Sequence, residues 1–204
     1  MQWLVMDFKR LSAKIDRNSS LPIHNYYQKI LSLLFINGKD PFNRQLLSID
    51  CEKRIEKGVA DIYLKWRYNN KVFTEIVEVE LQGKKKTIQN KIKLYRDSAD
   101  FLSFCVPSQR VPPMVKIFPK MKKDLGKINL LYIIDSNIVT KNRRRIVDDK
   151  DFVVSAHSPF LLLDCPDGDM SCVKEVANRH RSLLFDAMVH QKFMQQPLQP
   201  QVRI

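Results

Sequence analysis

Residues 59–82 constrain this chain more tightly than any other segment. Two β-rich runs, Val59-Ala-Asp-Ile-Tyr-Leu-Lys-Trp-Arg-Tyr68 and Lys71-Val-Phe-Thr-Glu-Ile-Val-Glu-Val-Glu-Leu-Gln82, are separated only by Asn69-Asn70. Asn tolerates the positive φ that both central residues of a two-residue hairpin loop adopt, so the pattern predicts an antiparallel hairpin. With Asn69 and Asn70 as the loop, Tyr68 faces Lys71 and Asp61 falls opposite Glu78. Opposed side chains share a face, with Cβ atoms about 5 Å apart. Strand alternation adds Glu80 and Gln82 to that face. Acids gathered among Val, Ile and Leu repel one another, and burying them unpaired is costly. Two kinds of compensation fit. One is a divalent cation, since Mg²⁺ sites use one or two carboxylates with water and substrate phosphate. The other is a solvent-facing hairpin whose acids pair with Lys65, Arg67 or Lys84.

The segments around the hairpin alternate between helical and strand periodicity. Leu4, Phe8, Leu11 and Ile15 mark a short N-terminal helix or arm within residues 1–20. Tyr27, Ile30, Leu31, Leu34 and Phe35 lie on one face of a helix from about His24 to Asn37, which Asn37-Gly38 and Pro41 end. Leu46, Leu47 and Ile49 are strand-like. Lys84 to Asp100 reads as a basic amphipathic helix with Ile88, Ile92, Tyr95 and Ala99 along one side. Buried strands are expected at Phe101–Val106 and Ile128–Ile134, and one or two short strands between Phe152 and Leu163. Met114 to Lys123 fits either a helix or a loop. A C-terminal helix is expected from Cys172 to Met194, and residues 195–204, rich in Gln and Pro, read as a flexible tail. The order predicts an α/β (α+β) fold with a mixed central sheet flanked by helices. No GxGxxG is present, and a hairpin at the centre argues against a doubly wound Rossmann fold.

Charge narrows the partner class. Thirty-five Lys and Arg against twenty-two Asp and Glu give a net charge of +13 over 204 residues. Such a field favours polyanions through counterion release, so DNA, RNA or an anionic surface is expected. Apolar runs are far too short for a membrane span. Met1 to Met6 meets Asp7, Lys9 and Arg10 too early for a signal peptide, so a cytoplasmic location is expected. Cys51, Cys105, Cys165 and Cys172 show no CxxC spacing, which argues against a zinc ribbon. Cys165 and Cys172 flank a Pro-Asp-Gly turn with the spacing of a small disulfide loop, but reduced structural thiols are the default for a cytosolic chain. His24 and His157 stand alone in the sequence and read as structural. Tyr95 reads as a core or interface tyrosine. No Walker loop, HExxH or Ser/His/Asp set is present, which leaves NTPase, zinc-protease and serine-hydrolase readings without support.

Gly58-Val-Ala-Asp61-Ile and Ile76-Val-Glu78-Val-Glu80, followed by the basic helix and Ala99-Asp-Phe-Leu-Ser-Phe-Cys-Val-Pro107, resemble the core of the PD-(D/E)XK nuclease superfamily. Within it the chain looks most like archaeal Holliday-junction resolvases. That family has a first helix, a metal-binding Asp on the second strand, Glu-X-Lys on the third, then a helix and a further strand. The resemblance covers about residues 24–135. It implies a restriction-endonuclease-like core over residues 21–140, with residues 141–194 as an extension of the same domain. Carried over position by position, it implies that Asp61 and Glu78 bind Mg²⁺ or Mn²⁺. Glu80 stands where the family has Lys and is a third candidate ligand. A register shifted by two would make Glu80 the metal carboxylate and put Gln82 in the Lys position, so Asp61, Glu78, Glu80 and Gln82 are the candidate catalytic set. Ala60 replaces the nominal Pro. Gln28 and Lys29 stand near where resolvases carry an acidic residue on the first helix.

The implied function is a metal-dependent DNA endonuclease acting on branched DNA, in replication, recombination or repair. A homodimer would offer two active sites to symmetric strands. With the usual Lys absent, Lys84 or Lys91 is expected to supply positive charge at the site. Lys84, Lys85, Lys86, Lys91, Lys93 and Arg96 on the basic helix, with Arg143, Arg144 and Arg145 further on, are the candidate phosphate contacts. An alternative is the same fold without cleavage, kept as a DNA-binding module. A third is an RNA-binding or assembly protein of unrelated fold, favoured if Asp61 and Glu78 prove to be distant.

Overall fold

A computed structural model describes residues 8–18, 21–38, 40, 42, 44–107, 110, 128–134 and 154–157. The Lys141–Arg145 cluster, Met114–Lys123, Cys165, Cys172, the expected C-terminal helix and the tail all lie outside the described residues. The elements run α1 (Phe8–Asn18), α2 (Pro22–Ile36), β1 (Gln45–Ile55), β2 (Gly58–Tyr68), β3 (Lys71–Val79), α3 (Lys85–Tyr95), β4 (Phe101–Pro107), β5 (Ile128–Ile134) and β6 (Val154–His157). The fold is mixed α and β, as the periodicity implies. The strands form one sheet in chain order. β1, β2 and β3 are antiparallel neighbours, β3, β4 and β5 run parallel, and β6 returns antiparallel to β5. Among the described residues no helix is long and apolar enough to cross a membrane.

The hairpin has the expected register. Tyr68 pairs with Lys71 and the ladder continues to Ile62 opposite Val77. Asn69 and Asn70 take φ of 47° and 61°, the left-handed pair that matches the twist of the flanking strands. β2 alternates cleanly: Ile62, Leu64 and Trp66 are fully buried, whereas Lys65 and Arg67 are exposed. The buried set packs under α2, where Phe35 meets Trp66 edge-on at 5.2 Å and Tyr132 at 5.3 Å. β4 is buried at every position, as expected of a central strand with parallel neighbours on both sides. Cys51 and Cys105 are buried free thiols, and burial pushes the Cys51 thiol up to about 12, so it stays protonated and inert.

Two element ends differ from the sequence reading. β3 stops at Val79 rather than Gln82. Glu80 N–H still donates to Cys105 O at 2.8 Å, but its carboxylate then accepts the N–H groups of Gln82 and Gly83, both at 3.0 Å. The chain turns there, with Gly83 at φ 65°, so alternation no longer governs Glu80 and Gln82. α3 ends at Tyr95, not Asp100. Asp100 is drawn back to β3, accepting from Thr74 N–H at 2.8 Å and Thr74 Oγ1 at 3.0 Å.

An ionic cluster lies inside the core. Arg44 is fully buried at its guanidinium, pairing with Asp40 at 2.7 Å and Glu75 at 2.8 Å, donating to Tyr132 Oη at 2.7 Å, and lying 4.2 Å over the Trp66 ring. Glu75 has no exposed surface. It accepts from Arg44, Trp66 Nε1 (2.8 Å), Ser103 Oγ (2.5 Å) and Tyr132 Oη (3.0 Å). Every acceptor position on that carboxylate is therefore used. Removing one partner strands the others in the low-dielectric interior. Arg44→Met should destabilise the protein by about 3–5 kcal/mol in urea unfolding; a loss under about 1 kcal/mol would show that the cluster is not a structural tie.

Candidate active site

The site forms where the β2–β3 ladder stops. Beyond Ile62 and Val77 two carboxylates take the places of main-chain acceptors: Val79 N–H donates to Asp61 Oδ2 at 2.8 Å, and Asp61 N–H donates to Glu78 Oε1 at 3.2 Å. This brings Asp61 and Glu78 together, as the hairpin arithmetic requires. Glu78 is 2% exposed. Its neutralising partner is Lys91 of α3, with Nζ 2.9 Å from Glu78 Oε2, 3.9 Å from Asp61 Oδ2 and 3.5 Å from Val79 O. The pairing expected with Lys65, Arg67 or Lys84 does not occur. Lys65 and Arg67 point to solvent, and Lys84 lies at the exposed start of α3, whereas Lys91 comes from the inner side of that helix.

Close packing of α3 on the start of β2 is what carries Lys91 this far in. Tyr95 Oη donates to Val59 O at 2.6 Å. A Cβ at Gly58 would stand 3.1 Å from Leu94 and 3.2 Å from the Tyr95 hydroxyl, so any other residue would press both side chains back by a few tenths of an ångström.

α2 supplies Gln28, which stands near the position where the resembled family carries an acidic residue, and His24, which the sequence reading did not place here. His24, read there as structural, has Nε2 3.1 Å from Asp61 Oδ2. Gln28 donates through one amide nitrogen to Asp61 O and to Glu52 Oε1, the latter at 3.1 Å. Glu52 sits on β1 between Cys51, paired with Ile62, and Lys53, paired with Ala60, and so lies level with Asp61. Its φ of 50° is unusual for a non-glycine residue and turns its carboxylate towards Gln28. A left-handed Glu in a strand carries no sequence signal, and His24 and Gln28 are separated from Asp61 by more than thirty residues. Lys29, beside Gln28, faces away and pairs with Asp16 of α1 at 2.6 Å.

The other expected residues are spread around this centre. Glu80 is buried, its carboxylate engaged by the turn, and Gln82 is exposed in that turn. Lys84, Lys85, Lys86, Lys93 and Arg96 are exposed along α3. Arg143, Arg144 and Arg145 lie outside the described residues. Among the described residues, no three His, Cys, Asp or Glu side chains stand together as a metal-ligating cluster. The carboxylates at the centre are the pair Asp61 and Glu78, with Glu52 alongside. Comparison with protein-family models, with curated proteins and with solved structures found no match.

Proton affinities follow from this crowding. Burial of Glu78, reinforced by the adjacent Asp61 charge and opposed by Lys91, pushes its carboxyl up to about 7. Burial also raises Glu52. For His24, burial works against the charged form, but the hydrogen bond and charge of Asp61 outweigh it and its pKa rises. Lys91 loses solvation, yet Glu78 and Asp61 hold it more firmly protonated than in water.

The sign of the pH dependence is fixed. Between the ordinary carboxylate value of 4.5 and about 7, folded Glu78 keeps a proton that the unfolded chain has released, so stability falls as pH rises. His24 adds a contribution that is complete below its unfolded value of 6.5 and is lost as pH rises through its folded value. The unfolding temperature in EDTA should therefore drop from pH 5 to pH 8. Glu78→Gln should flatten the lower part of that drop, and an unchanged slope in this variant would contradict the assignment.

Proposed function

We propose that the chain is a metal-dependent DNA endonuclease with a restriction-endonuclease-like core, acting on branched DNA. The observation that carries this reading is the convergence of Asp61, Glu78 and Lys91, with the ammonium 2.9 Å and 3.9 Å from the two carboxylates. The order of parts also supports it: a first helix, Asp61 on the second strand, Glu78 on the third, then a basic helix and a parallel strand. Glu80 occupies the usual Lys position, and Lys91 brings a lysine to the same carboxylates from α3.

The donor set suits a hard divalent cation. Asp61 and Glu78 offer carboxylate oxygens and Val79 a carbonyl, and all three already surround one cationic group. When bound, Mg²⁺ or Mn²⁺ would lower the pKa of a water and polarise the phosphodiester. Asp61 and Glu78 would hold the ion. His24, hydrogen-bonded to Asp61, fixes that carboxylate's orientation. Lys91 would stabilise the negative charge that develops on the phosphoryl oxygens, a role in which one lost donor costs about 10²–10³ in rate. Glu80 shapes the turn that leads into α3, which favours the register in which Glu78 is the metal carboxylate. The exposed lysines of α3 start beside this turn and would contact flanking phosphates. A homodimer would present two such sites to the symmetric strands of a junction.

A second reading has one observation in its favour. Glu80 stands where the resembled family has Lys, and its carboxylate is spent on the Gln82 and Gly83 N–H groups, which suits a DNA-binding module of the same fold that no longer cuts. Incubation of a labelled four-way junction, a matched duplex and a single strand with Mg²⁺, Mn²⁺ or EDTA separates the two. Metal-dependent cuts in the junction are expected, abolished by Asp61→Ala with binding retained, and reduced about 10²–10³-fold by Lys91→Met. Tight binding with no cuts in either metal would replace the nuclease reading by the binding module.

A further inference from the structure

The outer face of the β1–β2 hairpin carries charge that the site does not use. Along β2, the residues alternating with buried Ile62, Leu64 and Trp66 are Asp61, Tyr63, Lys65 and Arg67. β1 pairs Ser48 with Lys65 and Gln45 with Arg67, and β3 pairs Thr74 with Lys65 and Val72 with Arg67, so among the described residues no acid stands directly across from either cation; Asp50, opposite Tyr63, is taken by Lys14 at 2.6 Å, and Asp100 by Thr74. Arg67 donates to the neutral Gln45 side chain at 3.3 Å. Lys53 holds its ammonium 3.5 Å over the Tyr63 ring. Among the described residues none of Lys53, Lys65 and Arg67 is ion-paired with a carboxylate. The packed side of this hairpin, under α2, is its other face.

We infer that this face is a docking track for one duplex arm of a DNA substrate, in which Lys53, Lys65 and Arg67 bind backbone phosphates leading away from Asp61. The inference rests on the nucleic-acid reading above. Charge complementarity and continuity with the site carry it, because the track and Asp61 belong to the same strand at alternate positions. Alternate residues are about 7 Å apart, which puts Lys65 about 14 Å and Arg67 about 20 Å from Asp61. At about 3.4 Å per nucleotide of a duplex strand, this is a reach of roughly four to six nucleotides from a phosphate at Asp61. The Tyr63 ring positions Lys53 by cation–π attraction instead of offering that face for stacking. A track of spaced cations with its aromatic face covered reads backbone charge, which favours a duplex arm over an unstacked single strand.

The test is DNA binding in EDTA by fluorescence anisotropy, using the whole chain, a labelled duplex and a four-way junction over a range of KCl concentrations. Lys65→Gln/Arg67→Gln changes two exposed residues, and an unchanged melting curve checks the fold. The variant is expected to bind roughly tenfold or more weakly near 0.1 M salt. The slope of log K against log salt should fall by about 2, one for each phosphate contact removed. A variant that matches wild type in affinity and slope overturns the track, as does a wild-type protein that binds no duplex. Because no metal is present, a protein that shows the slope change but never cuts DNA retains the track and loses only the nuclease reading.

Discussion

The site exists because the β2–β3 ladder stops at Ile62 and Val77, two pairs short of the end of β3. A ladder that ends inside a protein leaves main-chain N–H groups without acceptors, and such groups must be satisfied. Here Asp61 and Glu78 accept them, so each carboxylate is fixed by the backbone of the opposite strand. Two negative groups held this way cannot move apart. Their proximity demands a cation, and the closeness of α3, permitted by Gly58 and tied by Tyr95, delivers the Lys91 ammonium.

Glu75 and Glu78 show how environment divides one residue type between two uses. They stand three positions apart on β3, both almost without exposed surface. Glu75 is surrounded by four donors, including a guanidinium, and all its hydrogen-bonding capacity is spent inside the fold. Glu78 has one lysine, one main-chain donor and another carboxylate, an arrangement that lifts its proton affinity towards neutrality. A buried carboxyl whose proton affinity is raised beside a second acid and a lysine is the kind of group catalytic sites are built from. A fully satisfied one is not.

The sequence was most legible where the physics is local. Period-two alternation and the Asn69-Asn70 pair fixed the hairpin and its register, and from these the meeting of Asp61 with Glu78. Among the described residues, α2 was legible from its apolar stripe to within two residues, and α3 at its start but not at its end. Legibility failed where a side chain replaced a backbone partner. Glu80 folding back on the turn ended β3 early, and Asp100 reaching Thr74 shortened α3. The His24, Gln28 and Glu52 wall of the site depends on how α2 lies across the sheet and on one left-handed φ. Neither has any local pattern. Lys84 and Lys91 were equal candidates for the site's positive charge, because helical spacing does not tell an inward lysine from an outward one near the edge of an apolar stripe; Lys91 is the one that reaches Glu78 and Asp61.

The Arg44 cluster bears on how the chain finds this arrangement at all. Sliding β3 by one residue would turn Glu75 out of its cage of four donors and push Ile76 in among them. The competitor would then leave the buried guanidinium with Asp40 as its one carboxylate and lose the hydrogen bonds of Trp66, Ser103 and Tyr132 to Glu75 together. Those partners come from β2, β4 and β5, so the mismatch would be felt across the width of the sheet. An apolar residue at position 75 would tolerate a slipped strand far better, since one aliphatic side chain replaces another at little cost. The buried charge thus penalises a slipped β3: the alignment that satisfies Glu75 is the one that also sets Glu78 beside Asp61.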